Sequence, residues 1–252
     1  LQQLLRAQTM DRIRLEGMRE DRRPMLAGGI SIMRAAFDLL GIDSMQIAQG
    51  ALRQGVLHDL LDHEPPADKE LAEIQALQQD FGIDTGHAER VERIAMQLWQ
   101  AIEPANTPQA GTQALHIATQ LHEVGMRVAL SDYHRHGAYI LDNTDAAGFA
   151  VPELHRLGVL VQGQRGKVRK LGVELDDPIF VLQLLCLRLA VALCHARREP
   201  DTKGLSLQAD GQRFQVSARP GWAIAYPQSA HLLREEVQAW QKTPWELAVD
   251  MP

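Results

Sequence analysis

The sequence predicts a mainly α-helical protein that ends in a small α+β part. Over most of the first 176 residues, apolar side chains recur at intervals of three and four, which places them on one face of a helix. After residue 177 the pattern changes, because two segments of alternating apolar residues flank Asp210-Gly211. Alternation on both sides of an Asp-Gly pair is typical of a β-hairpin.

Residues 1–62 are predicted to form a helix, a loop, a second helix, a short strand and a third helix. The second helix covers Ile30–Leu40, the strand Met45–Ala48 and the third helix Ala51–Leu61. The sequence HEPPAD at residues 63–68 contains two prolines among acidic residues, which favours a linker. We therefore place a domain boundary between residues 62 and 63.

Residues 63–176 are predicted to form a helical bundle. A first helix ends near Phe81, and Asp84 or Thr85 has the polar side chain that caps the next helix. Further helices are expected at Ala110–Val124, His136–Leu141 and Pro152–Gln162.

Residues 177–252 are predicted to form the small α+β subdomain, with one helix packed on three antiparallel strands. The expected elements in chain order are a long apolar helix, two hairpin strands, an amphipathic helix and a closing strand: Ile179–Arg197, Leu205–Ala209, Arg213–Ser217, Ser229–Trp240 and Trp245–Val249.

Composition excludes several classes of function. The net charge of −6 argues against a dedicated nucleic-acid binder. No apolar run approaches the roughly 20 residues that a membrane span needs, and no leader suggests secretion. The two cysteines, Cys186 and Cys194, lie eight residues apart in one predicted helix, too far apart to bridge, so we interpret them as buried thiols in a reducing compartment. These features predict a cytoplasmic protein.

The segment from Leu121 to Phe149 carries the most chemistry. His122-Glu123 closes one apolar helical run, and His134 and His136 precede the next. Imidazole and carboxylate groups on adjacent helices are typical of a phosphohydrolase metal site or of a phosphate-binding pocket. The spacing resembles that of helical HD-type domains.

Two sequence blocks together resemble one family. LHEVG followed by HRHGAYILDNTDAAGF, and GALRQGVLHDL at Gly50–Leu60, are similar to the exopolyphosphatase / guanosine pentaphosphate phosphohydrolase family. The resemblance implies the tail of an actin-like domain at residues 1–62, an HD-like domain at 63–176 and a subdomain at 177–252. Because the chain begins at Leu1 within a helical pattern, we expect it to be the C-terminal part of a longer protein. The phosphate loops, the catalytic glutamate and the magnesium of the intact enzyme would lie outside it.

The HD-type resemblance also suggests where a metal would bind. His87 and His122 stand at the two histidine positions, but Glu123 replaces the usual aspartate and Val191 the last one. An isopropyl group cannot bind a cation, so we predict no metal in this chain. His87, His122 and Glu123 could be a buried hydrogen-bonded remnant, a weaker zinc site or groups that face phosphate.

The resemblance and the positive charge select the candidate substrate-binding residues. No catalytic residue is assigned to this chain, and the six candidates are Arg22, Arg53, His134, His136, Lys167 and Lys170. The basic run QRGKVRK at Gln164–Lys170 suits a polyanion, which needs a row of charges more than a shaped pocket. A solvated surface is the alternative for this run.

The resemblance therefore implies a phosphoanhydride hydrolase that acts on polyphosphate or guanosine pentaphosphate. This chain would contribute a polyanion-binding canyon and the contacts of a homodimer, and it would be inactive alone, since neither GxGxxG nor GxxxxGK occurs in it. The alternative is a non-catalytic HD-like module that senses nucleotides or mediates assembly.

Overall fold

A computed structural model describes residues 20–45, 67–104, 109–146 and 148–252. The chain divides into two units, Leu1–His63 and Glu64–Pro252. In the described part of the first unit, a 3-10 helix at Glu20–Met25 leads into helix α1, Leu26–Leu40, which confirms the predicted helix. The predicted strand Met45–Ala48, apart from its first residue, the helix Ala51–Leu61 and most of the linker lie outside the described residues.

In its described residues, the second unit begins with six helices. They are α2 (Ala67–Phe81), α3 (Thr85–Ile102), α4 (Gln109–Leu121), α5 (Tyr133–Asp142), α6 (Val151–Gly163) and α7 (Pro178–Leu193). Two 3-10 segments, Val124–Arg127 and Val168–Asp176, connect α4 to α5 and α6 to α7. No helix in the described ranges is both long and apolar enough to cross a membrane.

Helix α7 forms the centre of the hydrophobic core. Its sequence PIFVLQLLCLRLAVAL is apolar on nearly every side, and a helix of that kind is stable only when other elements surround it. Accordingly α7 packs against α3, α4 and α6, and against a later helix of the C-terminal part, α9 (Pro227–Ala239). The core is continuous from Ile74 to Met251, so it crosses the predicted boundary at 176/177. A separate subdomain at 177–252 stays a prediction.

The C-terminal sheet contains β1 (Leu205–Asp210), β2 (Arg213–Ala218) and β3 (Glu246–Asp250). The antiparallel β1–β2 hairpin pairs Asp210 with Arg213, as predicted. The prediction of three antiparallel strands was wrong, because β3 runs parallel to β2. The chain between β2 and β3 contains the short helix α8 (Trp222–Ala225) and then α9. A helical crossover of this kind returns the chain in the same direction, whereas an antiparallel pair can be joined by a tight turn.

Candidate functional site

The predicted His87, His122 and Glu123 line a cavity of about 580 Å³ in the second unit. The N-terminal turn of α3 supplies His87, and the turn after α4 supplies His122 and Glu123. The opposite wall comes from the loop after α6, from α7 and from α9. Since the elements are far apart in sequence, helix packing and not local spacing brings these groups together.

His122 is held in one orientation by its own helix end. Its Nδ1–H donates to the carbonyl oxygen of Thr119 at 2.7 Å, which leaves a lone pair on Nε2. That Nε2 is buried and has no hydrogen-bond partner among the described residues. Burial lowers the pKa of His122 to about 4. His122 is therefore a neutral acceptor at physiological pH.

His87 and Glu123 face each other but are too far apart to hydrogen-bond. The distance from His87 Nε2 to Glu123 Oε1 is 3.7 Å. Burial lowers the pKa of His87 as well. Glu123 instead accepts a hydrogen bond at 2.5 Å from Nη2 of Arg197, whose Nη1 bonds Asp84 at 2.9 Å. The remnant interpretation predicts bonds among the three residues or to backbone: His122 does bond to backbone, whereas Glu123 bonds to Arg197.

Asp84 also determines where α3 begins. Its carboxylate accepts a bond from the backbone N–H of His87 at 3.0 Å, so the predicted Asp84 cap is confirmed. One acidic side chain thus caps α3, orients the start of the helix that carries His87 and binds Arg197.

The His-Arg-His motif lies in the first turn of α5, which begins at Tyr133, three residues earlier than predicted. His134 packs edge-on against the Tyr133 ring, with 6.1 Å between ring centroids. Its Nδ1 is buried without a partner in the described part of the chain, and burial lowers its pKa. His136 follows two residues later, which turns its side chain to another face of the helix.

The basic run lies on the same side of the molecule as Tyr133. The guanidinium carbon of Arg165 is 5.4 Å from the centre of the Tyr133 ring, within range of a cation–π contact. Lys167 and Tyr133 both line the cavity. Lys170 is exposed, and its backbone N–H bonds the carbonyl oxygen of Lys167 at 3.1 Å, so the two lysines lie at the start of the same 3-10 segment.

Arg188 anchors the loop that carries the basic run. This residue is only 2% exposed, and it forms a bidentate ion pair with Glu236 of α9. Its Nε donates to Oε2 at 2.7 Å and its Nη2 donates to Oε1 at 3.0 Å. The same guanidinium donates to the carbonyl oxygens of Gly163 and Gly166. The bonds to the two glycine carbonyls fix the path of the chain between α6 and the 3-10 segment.

The remaining candidates cannot be placed at this site. Arg22 belongs to the 3-10 helix of the first unit, but its side chain lies outside the described residues, and so does the whole of Arg53. Their assignment to substrate binding stays a prediction.

Sequence reasoning missed three residues of the site: Arg188, Arg197 and Tyr133. Arg188 had a usable signal, because a single charge within an otherwise apolar helix must find a partner when the helix is buried. Arg197 had no such signal in the sequence, since its partners Asp84 and Glu123 are 113 and 74 residues away.

These helices and the cavity belong to a known class of domain. Residues 71–239 match the family model described as Ppx/GppA phosphatase, domain III, and residues 1–64 match the Ppx/GppA phosphatase family model. The chain belongs to the Ppx/GppA phosphatase family, which confirms the resemblance stated from the two sequence blocks.

Individual relatives are similar over nearly the whole chain. Proteins named guanosine-5'-triphosphate,3'-diphosphate pyrophosphatase from Aeromonas hydrophila and Aeromonas salmonicida are 31% and 30% identical over 242 residues. Each alignment covers 94% of this chain and 49% of the relative. The protein of that name from Pseudoalteromonas translucida is 28% identical over 249 residues. The chain thus spans about half the length of the curated relatives it matches.

Proposed function

We propose that this chain belongs to a hydrolase of phosphoanhydride bonds, acting on guanosine pentaphosphate or polyphosphate, and that it supplies a polyanion-binding surface. The observation that carries the proposal is the meeting of two basic segments at Tyr133. Arg165 stacks on one side of this ring, His134 packs against its edge, and Lys167 shares its cavity. A row of cations beside histidine donors suits successive phosphates better than it suits a neutral ligand.

The start of α5 adds a further attraction for anions. The first backbone N–H groups of a helix lack an i−4 carbonyl partner and favour negative charge. In α5 the N–H groups of Arg135 and His136 already bond the carbonyl oxygen of Asp132, so we propose those of Tyr133 and His134 as the anion-binding groups. His134 and His136 lie in that turn. We propose that both histidines contact phosphate, His134 from the Tyr133 side and His136 from the other side of the helix, about 200° further round.

The chemistry itself is proposed to reside outside this chain. Water would attack the terminal phosphorus, a carboxylate would act as base and magnesium would neutralise charge, all in the part of the protein that corresponds to the other half of the relatives. Arg22 and Arg53 are proposed as further substrate-binding residues, and the intact protein is proposed to be a cytoplasmic homodimer. This chain alone is proposed to be inactive, so steady phosphate release from polyphosphate by it would contradict the proposal.

The names of the relatives support a guanosine nucleotide as one substrate, since each printed name refers to guanosine triphosphate diphosphate. A polyphosphate chain would use the same cations, because both ligands present phosphates in a row. We propose that the basic surface holds the phosphates of either ligand.

A charge-matched pair of variants tests the surface. K167A/K170A should weaken binding of long polyphosphate, measured by calorimetry on this chain, by about tenfold, and binding of short polyphosphate by less. The control K69A/K203A removes two exposed lysines elsewhere in the second unit and so changes the net charge equally. Equal losses in the two variants would show that only net charge matters. Nucleotide binding that neither variant weakens would instead favour a sensing module.

A further inference from the structure

Three side chains of the second unit form a cluster of the kind that can hold a metal ion. The ligand atoms of His87, His122 and Glu123 all lie within 4.8 Å of one another, and all three residues are buried. We propose that the guanidinium of Arg197 replaces the metal ion here, and that removing Arg197 turns the cluster into a site for a divalent transition metal.

The donor atoms do not fit a metal as they stand. Of the two histidines, only His122 presents a free lone pair, on Nε2. His87 Nδ1 lies 3.4 Å from Nη1 of Arg90, and a guanidinium can only donate, so this contact favours the tautomer with the proton on Nε2, the nitrogen 3.7 Å from Glu123. A ligating imidazole must present a lone pair to the metal. The third group, Glu123, is already bound to Arg197.

Charge explains why Arg197 is needed. The side chain of Glu123 is only 7% exposed, and a buried carboxylate without a counter-charge is strongly unfavourable. Val191 lines the same cavity and offers no charge. Arg197 provides the positive charge that a metal would otherwise supply, and its second bond, to Asp84, ties it to the start of α3.

The backbone of Arg197 supports a role for its side chain. Arg197 has φ 53°, in the left-handed region that suits glycine and is uncommon for a long side chain. The residue follows the end of α7 in a turn where its N–H bonds the carbonyl of Cys194 at 2.9 Å. A glycine would satisfy this turn without strain, but it could not reach Glu123 and Asp84.

Removing Arg197 would leave a set of groups that suits zinc. Glu123 would lose its cation, and His122 would keep its lone pair beside it. His87 could move its proton to Nδ1 at the cost of one long contact with Arg90. Two imidazoles, a carboxylate and one water make a common zinc coordination.

Zinc titration by calorimetry tests the proposal on four versions of this chain: wild type, R197A, R198A and R197A/H122A. Arg198 is the adjacent arginine and is exposed, so R198A removes the same charge without touching the cluster. R197A should bind one equivalent of zinc at least about tenfold more tightly than wild type or R198A, a change as large as that caused by altering the outer contacts of a metal site. The double variant should lose this binding.

Two results would overturn the proposal. One is folded R197A that binds zinc no better than R198A. The other is one equivalent bound by the wild-type chain and lost in H122A, because then the metal would bind alongside Arg197. If R197A does not fold without metal, R197M keeps the aliphatic stem, and its thermal unfolding temperature should rise with zinc while that of R197M/H122A should not. Absence of that rise would equally refute the proposal.

Discussion

Arg188→Met tests how the basic loop is held in place. The substitution keeps most of the side-chain volume but leaves Glu236, 16% exposed, without its partner and removes the donors to the carbonyls of Gly163 and Gly166. Breaking a buried ion pair by removing one partner costs about 3–5 kcal/mol. For a protein of this size, that corresponds to a fall in the midpoint of thermal unfolding of roughly 6–20 °C.

The assay is thermal and urea unfolding followed by circular dichroism, with Arg213→Met as the matched control. Arg213 forms an ion pair with Glu246 at 3.3 Å, but both side chains are exposed, at 82% and 70%. Exposed pairs contribute little, so R213M should change the midpoint by no more than a few degrees. Equal and small effects of R188M and R213M would refute the idea that Arg188 anchors the loop.

Two further predictions concern the same end of the bundle. A Cβ at Gly125 would overlap the carbonyl oxygen of Tyr133 and the amide nitrogen of Gly137, so G125A should lower the free energy of unfolding by about 2–3 kcal/mol. The control G86A, in α3, makes only ordinary contacts and should be neutral or slightly stabilising. Equal effects of the two variants in urea unfolding would count against the close approach of the 3-10 turn to α5. Burial lowers the pKa of His122 from 6.5 to about 4, so between these pH values the unfolded chain takes up a proton on His122 that the folded chain does not. This group should therefore lower the free energy of unfolding by about 3 kcal/mol from pH 6.5 to pH 4, and H122Q should show a shallower fall. The same pH profile in H122Q as in the wild-type chain would contradict a neutral His122.

The longer helices of the described part followed from periodicity, but the C-terminal ends of two of them did not. The predicted helix Ile179–Arg197 stops at Leu193, and Arg197 then adopts a left-handed backbone from which its side chain binds Asp84 and Glu123. The predicted helix Ala110–Val124 stops at Leu121, where the chain tightens into a 3-10 turn and brings Gly125 against α5. In both places a tertiary contact, which no local pattern encodes, ends the helix.

The direction of β3 could not be predicted from the sequence for a similar reason. Alternation predicts that Trp245–Val249 is a strand, but it says nothing about its neighbour. The pairing follows from packing: Trp245 stacks on Phe214 of β2, with 5.5 Å between ring centroids, and its Nε1–H donates to the carbonyl of Leu175.

The candidate site was predictable where its residues are close in sequence. His122 and Glu123 stood out as a pair beside His134 and His136, and the structure brings His87 to the first two. The charges that complete the site come from chain segments that pack only in the folded state. Arg197 contacts residues far away in sequence, and Arg188 supports the basic loop from the core.

The most direct test of the proposed polyanion surface is the salt dependence of polyphosphate binding to this chain. Three cations of the surface, Arg165, Lys167 and Lys170, would each neutralise one phosphate. The logarithm of the association constant should then fall by about 2 for each tenfold increase in salt, at roughly 0.7 per phosphate. The slope should decrease in K167A/K170A and stay unchanged in K69A/K203A. A slope near zero in the wild-type chain would contradict the proposal that this surface holds phosphates in a row.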